Sequence, residues 1–334
     1  MRTLGPAPDS AIDAATRTPR AGSYRGGVPR IDLVPLGAGA LARVLRHKRW
    51  LYVGIATEDV YVGLAVVRLG YAANGFAFVY DAKERRMLAD HGVLTTPFHC
   101  DVGDAAAEGC TAHLRAPSVV MDVSRPRGSS VYTLEAKVRD LVVSARMDAA
   151  AAPEPITAIS ALPGGRVTTT EKRPLLAVTG EVRVGSTRRS LDGALGGYDY
   201  TNGYLERRTI WRWGFALGHA KSGERVAFNV VEGFIGEAEC ALWVNGELFP
   251  LGEARFEFDA ARPLEPWRLR TACGALDLTF APGGAHRETT NLGIVASRFV
   301  QPAGAYSGRV QVPGRGELVL EGVLGVSEDQ DVLW

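Results

Sequence analysis

Cysteine is scarce in this chain of 334 residues: only Cys100, Cys110, Cys240 and Cys273 are present. So few thiols, so widely spaced, argue against a disulfide scaffold and point to free thiols in a reducing cytoplasm. An excess of charge of either sign is lacking as well. Lys and Arg total 38 against 37 Asp and Glu, a net of +1, whereas nucleic-acid-binding domains carry a basic excess. No nucleic-acid partner is therefore expected. No apolar run approaches the ~18–20 residues that a transmembrane helix needs, and the opening residues lack the apolar segment of a signal peptide. Several catalytic signatures are missing too. There is no Gly-rich phosphate loop opening a helix, no G-x-S-x-G and no H-E-x-x-H. Nucleotide enzymes and ordinary serine hydrolases are disfavoured on that ground, and no cofactor is expected.

Long helical periodicity is scarce, whereas alternation of period two recurs. Tyr132, Leu134, Ala136 and Val138 fall on one face of a strand, and so do Leu276, Leu278 and Phe280. This is the pattern of half-buried strands. Gly- and Pro-based turns separate the runs, among them Asn245–Gly246, a strong hairpin signal. The 39 glycines suit a chain with many reversals. One short helix is expected to begin at 84–88, and a strand is expected at 285–300. The strands are too many for one small barrel. The fold class expected is all-β, with two antiparallel units divided by a connector at 185–197: a flexible lead-in at 1–29, a first domain at 30–185 and a second at 195–334.

The stretch DYTNGYLERRTIWRW, 199–213, is the most distinctive, since it holds two of only 6 tryptophans. As a strand, 207–219 puts Thr209, Trp211, Trp213, Phe215, Leu217 and His219 on one face. That face can fill a barrel interior or line a cavity. On the next strand Glu232 shares a face with Val226, Phe228, Val230 and Phe234, while Asn229 lies on the other with Val231. A carboxyl group among apolar side chains is a candidate proton donor, and Asp199 is a second candidate acid; two such groups in unlike surroundings suit acid–base chemistry. Each residue also has a plainer reading. The tryptophans suit a core, Asp199 a turn, Glu232 an ion pair with Arg212 or Arg225, and His219 an exposed turn. The run from His99 to His113 includes Cys110 and His113 at C-x-x-H spacing, a zinc alternative disfavoured against ordinary buried thiols, so no metal is expected.

Several segments together, RHKRWLYVGIAT (46–57), DYTNGYLERRTIWRWGFA (199–216), VAFNVVEG (226–233), NLGIVASRFVQPAGAYSGRV (291–310) and GVLGVSEDQDVLW (322–334), resemble the domain-of-unknown-function family 2804. Its pattern is similar to tandem lipocalin-like proteins, a group that includes carotenoid hydratases, tocopherol cyclases and Diels–Alderases. The resemblance implies two lipocalin-like barrels or sandwiches packed in tandem. It also implies cofactor-free acid catalysis on a hydrophobic small molecule such as an isoprenoid or polyketide. The segment 199–213 looks like the acid- and Trp-bearing segment of the hydratases, without the His of their Asp-His-x-Trp pattern. Positions matching the family pattern include Lys48, Trp50, Asp199, Thr201, Trp211, Trp213, Asn229, Gln301, Glu328 and Trp334. The expected catalytic pair is Asp199 and Glu232, and the expected ligand contacts are Trp50, Thr201, Tyr204, Trp211, Trp213 and Asn229. The same pocket in a non-catalytic carrier is the alternative. The sequence fixes neither the oligomeric state nor which barrel holds an open cavity.

Overall fold

The computed structural model describes residues 2–291 and 296–334. Strands take up 64% of it and helices 5%, so the chain is all-β, built from two curled antiparallel half-barrel sheets. In the larger sheet the strands run in the order Arg86–Thr95, Ala73–Asp81, Val60–Arg68, His47–Ala56, Ala194–Tyr204, Arg166–Val184, Leu141–Asp148, Val131–Val138, Val119–Arg125, Cys110–Ala116 and Cys100–Val102. The second sheet centres on Arg225–Gly233, Arg208–His219, Gly316–Leu333, Ala296–Val312 and Leu276–Asn291. Neighbours along both paths are mostly hairpin partners, as expected for a chain reversed so often by glycine. The hairpin at Asn245–Gly246 forms as its residues demand, with positive φ at both positions (49° and 93°).

Three expectations about organisation need correction. The lead-in at 1–29 is docked: Gly22–Arg25 pairs with Ile156–Leu162, and Ala11, Ile12 and Val28 are buried. Its Pro/Ala/Gly composition hides this order, because the pairing partner lies far along the chain. The strand Ala194–Tyr204 pairs on both sides within the larger sheet, so residues 195–204 belong with the first unit and the second sheet begins at Arg208. Residues 84–88 enter the strand Arg86–Thr95, and the one α-helix among the described residues is Ala40–Arg46. Of the strand expected at 285–300, residues 292–295 lie outside the described residues.

One apolar core fills the first sheet, around Met121, Tyr132, Leu134 and Tyr198. The other includes Phe228, Tyr306, Phe280 and Trp267 within the second sheet, then crosses to the first through Phe215, Trp213, Tyr52 and Phe76. The two sheets therefore share a core. The sheets press together at Phe215: a Cβ on Gly197 would lie 2.8 Å from its ring, and one on Gly54 3.2 Å from it. Absent side chains at these two positions let the sheets meet there, and farther along the same strands they part.

Candidate functional site

Where the sheets part, rows of side chains face each other. Register on the first sheet aligns Lys172, Asp199, Tyr52, Ala65 and Phe76 across five strands, with Trp50, Val67 and Asn74 in the next row. The second sheet answers with Val231, Trp213 and Glu328, and beside them Trp211, Gln330, Phe299 and Glu288. Between them lies a cavity of about 430 Å³, which these residues line together with Phe234, Glu239, Gln301 and Trp334. Its size falls within the ~300–1,000 Å³ usual for small-molecule sites.

The walls are aromatic. Trp50 and Trp211 stack with centroids 6.1 Å apart, and Tyr52 meets Trp213 edge-on at 5.2 Å. The Trp face of Arg208–His219 thus turns away from its own sheet's core and towards the first sheet. Alternation in the sequence identified the face correctly but could not say what it faces. The candidate site belongs to neither barrel; it lies between them.

Charged groups gather at the buried end. Lys172 is ion-paired with Asp199 and lies 3.2 Å from Glu239. Burial opposes its charge, but the two carboxylates outweigh burial and raise its pKa above the ordinary lysine value. One cation thus serves two acids. Burial raises the pKa of Glu239, and Asp199 adds to the shift against the pull of Lys172. Glu328 receives Trp211 Nε1–H at 2.6 Å on Oε1 and Gln301 Nε2–H at 2.6 Å on Oε2. Burial pushes its pKa up to about 7, although both hydrogen bonds favour the ionised form. A carboxyl group that titrates near neutrality, at the wall of an aromatic cavity, can both give and take a proton.

The expected residues separate into three sets. Trp50, Asp199, Trp211 and Trp213 line the cavity. Asn229 stands behind the wall: its Oδ1 accepts Trp213 Nε1–H at 2.7 Å, and its Nδ2 donates to the Glu239 carbonyl at 2.9 Å. Thr201 is buried beside Trp50, its partner across the neighbouring strand, but outside the lining. Tyr204 and Glu232 lie elsewhere. Tyr204 stacks on His47 at 5.0 Å within the first core. The Glu232 carboxyl accepts the Phe256 N–H at 2.9 Å and pairs with Arg255 rather than with Arg212 or Arg225. Its side chain is partly exposed, so the desolvated environment expected from its neighbours is not there. Glu232 sits at the strand's end, where the apolar row runs out. His219 is exposed, as its turn reading expects. Cys110 is buried while His113, three residues on, faces outward, so the zinc alternative fails on strand geometry.

The unaided residue reading missed Lys172, Glu239 and Glu328. Glu328 was among the positions matching the family pattern. A usable signal for Lys172 was the run Thr168-Thr169-Thr170-Glu171-Lys172, polar yet wholly buried within a strand. Glu239 comes from a 3-10 turn, Gly236–Glu239, and carries no local signal.

The fold and the inter-sheet cavity define the class: a tandem lipocalin-like β protein. Within it, the chain belongs to the family described as a domain of unknown function, DUF2804, whose model matches residues 7–334. Among solved structures, the chain is similar to a candidate AttH from Nitrosomonas europaea, at 11% identity and a TM-score of 0.52 over 86% of this chain and 92% of that one. It is similar at 12% identity and a TM-score of 0.52 to CghA with Sch210972, over 86% and 88% of the two chains. Kievitone hydratase from Nectria haematococca aligns at 13% identity and a TM-score of 0.46, over 89% and 93%. No curated protein matches the chain in sequence. Among the described residues, no helix is long and apolar enough to cross a membrane.

Proposed function

We propose that this protein is a cofactor-independent enzyme, a hydratase, cyclase or isomerase, acting by acid catalysis on a hydrophobic small molecule in the cytoplasm. The observation that carries the reading is Glu328, a buried carboxyl group with a pKa raised to about 7 on the wall of an aromatic cavity. Glu328 delivers a proton to an unsaturated carbon of the substrate. The indoles of Trp50, Trp211 and Trp213 present π faces to the cation that results. Asp199, held by Lys172, takes up a proton from attacking water in a hydration, or from carbon when a double bond re-forms. Lys172 fixes the position of that carboxylate, and Asn229 fixes those of Trp213 and Glu239. The crystal structure of CghA with Sch210972 supports the idea that such a fold can hold a small organic molecule.

The test is turnover of lipophilic compounds that co-purify with the protein, followed by mass spectrometry for addition of water or for an isomer of equal mass. Glu328→Gln is expected to lower kcat at least ~100-fold, the usual scale of general acid catalysis, and Asp199→Asn to lower it as well. Glu232→Gln leaves it within about twofold, as surface changes away from a site do. Because Glu328 must be protonated, kcat/KM falls as pH rises through about 7. Unchanged turnover in Glu328→Gln sinks the assignment. A ligand that stays unaltered through long incubation makes the protein a carrier.

A further inference from the structure

The helix Ala40–Arg46 buries none of its residues, although five of the seven are apolar. Leu41 is 72% exposed, and Val44 and Leu45 close to half. An exposed apolar cluster calls for a covering partner. The helix leads directly into His47–Ala56, and the register places its surroundings. Arg49 pairs with Arg68, Arg68 with Ala73, and Ala73 with Thr95. The helix, the turn at 69–72 and the segment 94–99 therefore stand at one end of four adjacent strands, a span of about 14 Å at the usual strand spacing. The turn abuts the helix: a Cβ on Gly70 would lie 2.2 Å from the Val44 carbonyl oxygen. Lys48 Nζ ties the two by donating to the carbonyls of Leu45 and Leu69, at 2.9 and 2.8 Å. In the third segment Leu94 is 66% exposed and Phe98 93%.

This same end is where the cavity is lined by Leu69, Tyr71, Ala72 and Leu94. Leu94 is both a lining residue and part of the exposed cluster, so the cluster is continuous with the cavity. Its charge has one sign. Residues 40–46, 69–74 and 94–99 contain Arg43 and Arg46 and no Asp or Glu, and no acidic residue occurs between Asp32 and Glu58. Arg49 and Arg68, just inside, are paired with Asp101. Apolar side chains interspersed with arginines, on a helix far too short to span a bilayer, are the make-up of a surface that rests in the headgroup region of an anionic membrane. A second copy of the chain would bring arginines against arginines.

We propose that this end of the first sheet is a peripheral docking surface for an anionic lipid bilayer, which sets the cavity against the phase where a lipophilic ligand is dissolved. The ligand half of this statement rests on the proposed function; the docking half does not. The experiment is sedimentation of the full chain with vesicles of phosphatidylcholine plus phosphatidylglycerol, and with vesicles of phosphatidylcholine alone. Binding is expected to the mixed vesicles and to weaken with added salt. Replacing Arg43 and Arg46 by Glu lowers it about tenfold or more, and Leu41→Ser with Phe98→Ser does the same. All four side chains are surface residues, so a circular dichroism spectrum like that of the unaltered chain is expected. Absence of sedimentation, or equal sedimentation of the variants, overturns the proposal. So does a dimer of the unaltered chain that becomes monomeric in Leu41→Ser with Phe98→Ser, since a second copy would then be the cover. Glu328→Gln separates the two readings: it still sediments if docking holds, whatever becomes of turnover.

Discussion

Glu328 sets a pH dependence on folding as well as on chemistry. Its pKa is raised by burial from 4.5 to about 7, so the folded state holds its proton more tightly than the unfolded chain does. The stability linked to that proton is fully present below about pH 4.5 and is lost as pH rises through about 7. The shift corresponds to roughly 3 kcal/mol at full ionisation. Glu328→Gln keeps the hydrogen-bonding shape and removes the ionisation. Its denaturation midpoint is expected to match that of the unaltered protein in acid and to exceed it above neutrality, as urea titrations across pH will show; parallel curves would refute the burial argument. Residues such as Trp211 and Trp213 were legible because an indole pair one residue apart in a 334-residue chain is conspicuous. Glu232 misled because one strand's alternation says which face a side chain shares but not where the apolar cover ends.

At the scale of elements, the strands and most turns could be read from alternation and glycine, since both signals are local. Sheet membership could not. Ala194–Tyr204 is flanked by its partners Arg166–Val184 and His47–Ala56, and the second of these lies well over a hundred residues away. The same limit hid Lys172, which enters the site only because its register aligns with Asp199. Close contact between elements makes its own prediction. At Gly197 a methyl group would meet Phe215 at 2.8 Å and the Pro174 Cα at 2.9 Å. Gly197→Ala therefore forces the sheets apart at this tight contact and is expected to cost about 1–3 kcal/mol, the range for overpacking. Thermal unfolding measures this directly. A midpoint equal to that of the unaltered chain would mean that the sheets yield without cost.

The whole molecule is held together across the sheets by more than apolar contact. His286, on the second sheet, packs against Phe76 of the first at 4.4 Å and bonds through Nδ1 to Asp90, also on the first, while its Nε2 faces Glu288 at 3.4 Å. Burial works against charge on the imidazole, but Asp90 and Glu288 outweigh it and raise its pKa from 6.5 to about 9. The stabilisation is present below about pH 6.5 and is lost as pH rises through about 9, again on the order of 3 kcal/mol. With Glu328 acting in the same direction, the protein is expected to be markedly less stable in mild alkali than in mild acid. His286→Gln should flatten the upper part of that profile, and calorimetry at a series of pH values is the measurement. If the slope survives the substitution, some other group carries it.

The segment at the amino end has a bearing on how the molecule is made. Arg2 donates to the Glu237 carbonyl at 2.6 Å and the Ser23 hydroxyl to the Ala238 carbonyl at 2.6 Å, so residues near the start grip the turn that presents Glu239. Their partners lie 235 and 215 positions further along. On the ribosome these early residues emerge long before the turn they will hold: Ser23 can settle against its strand partner Ala158 first, and its hydroxyl and Arg2 must still wait for residues 237–238. The acidic end of the cleft is thus assembled late in biosynthesis, when beginning and middle finally clasp.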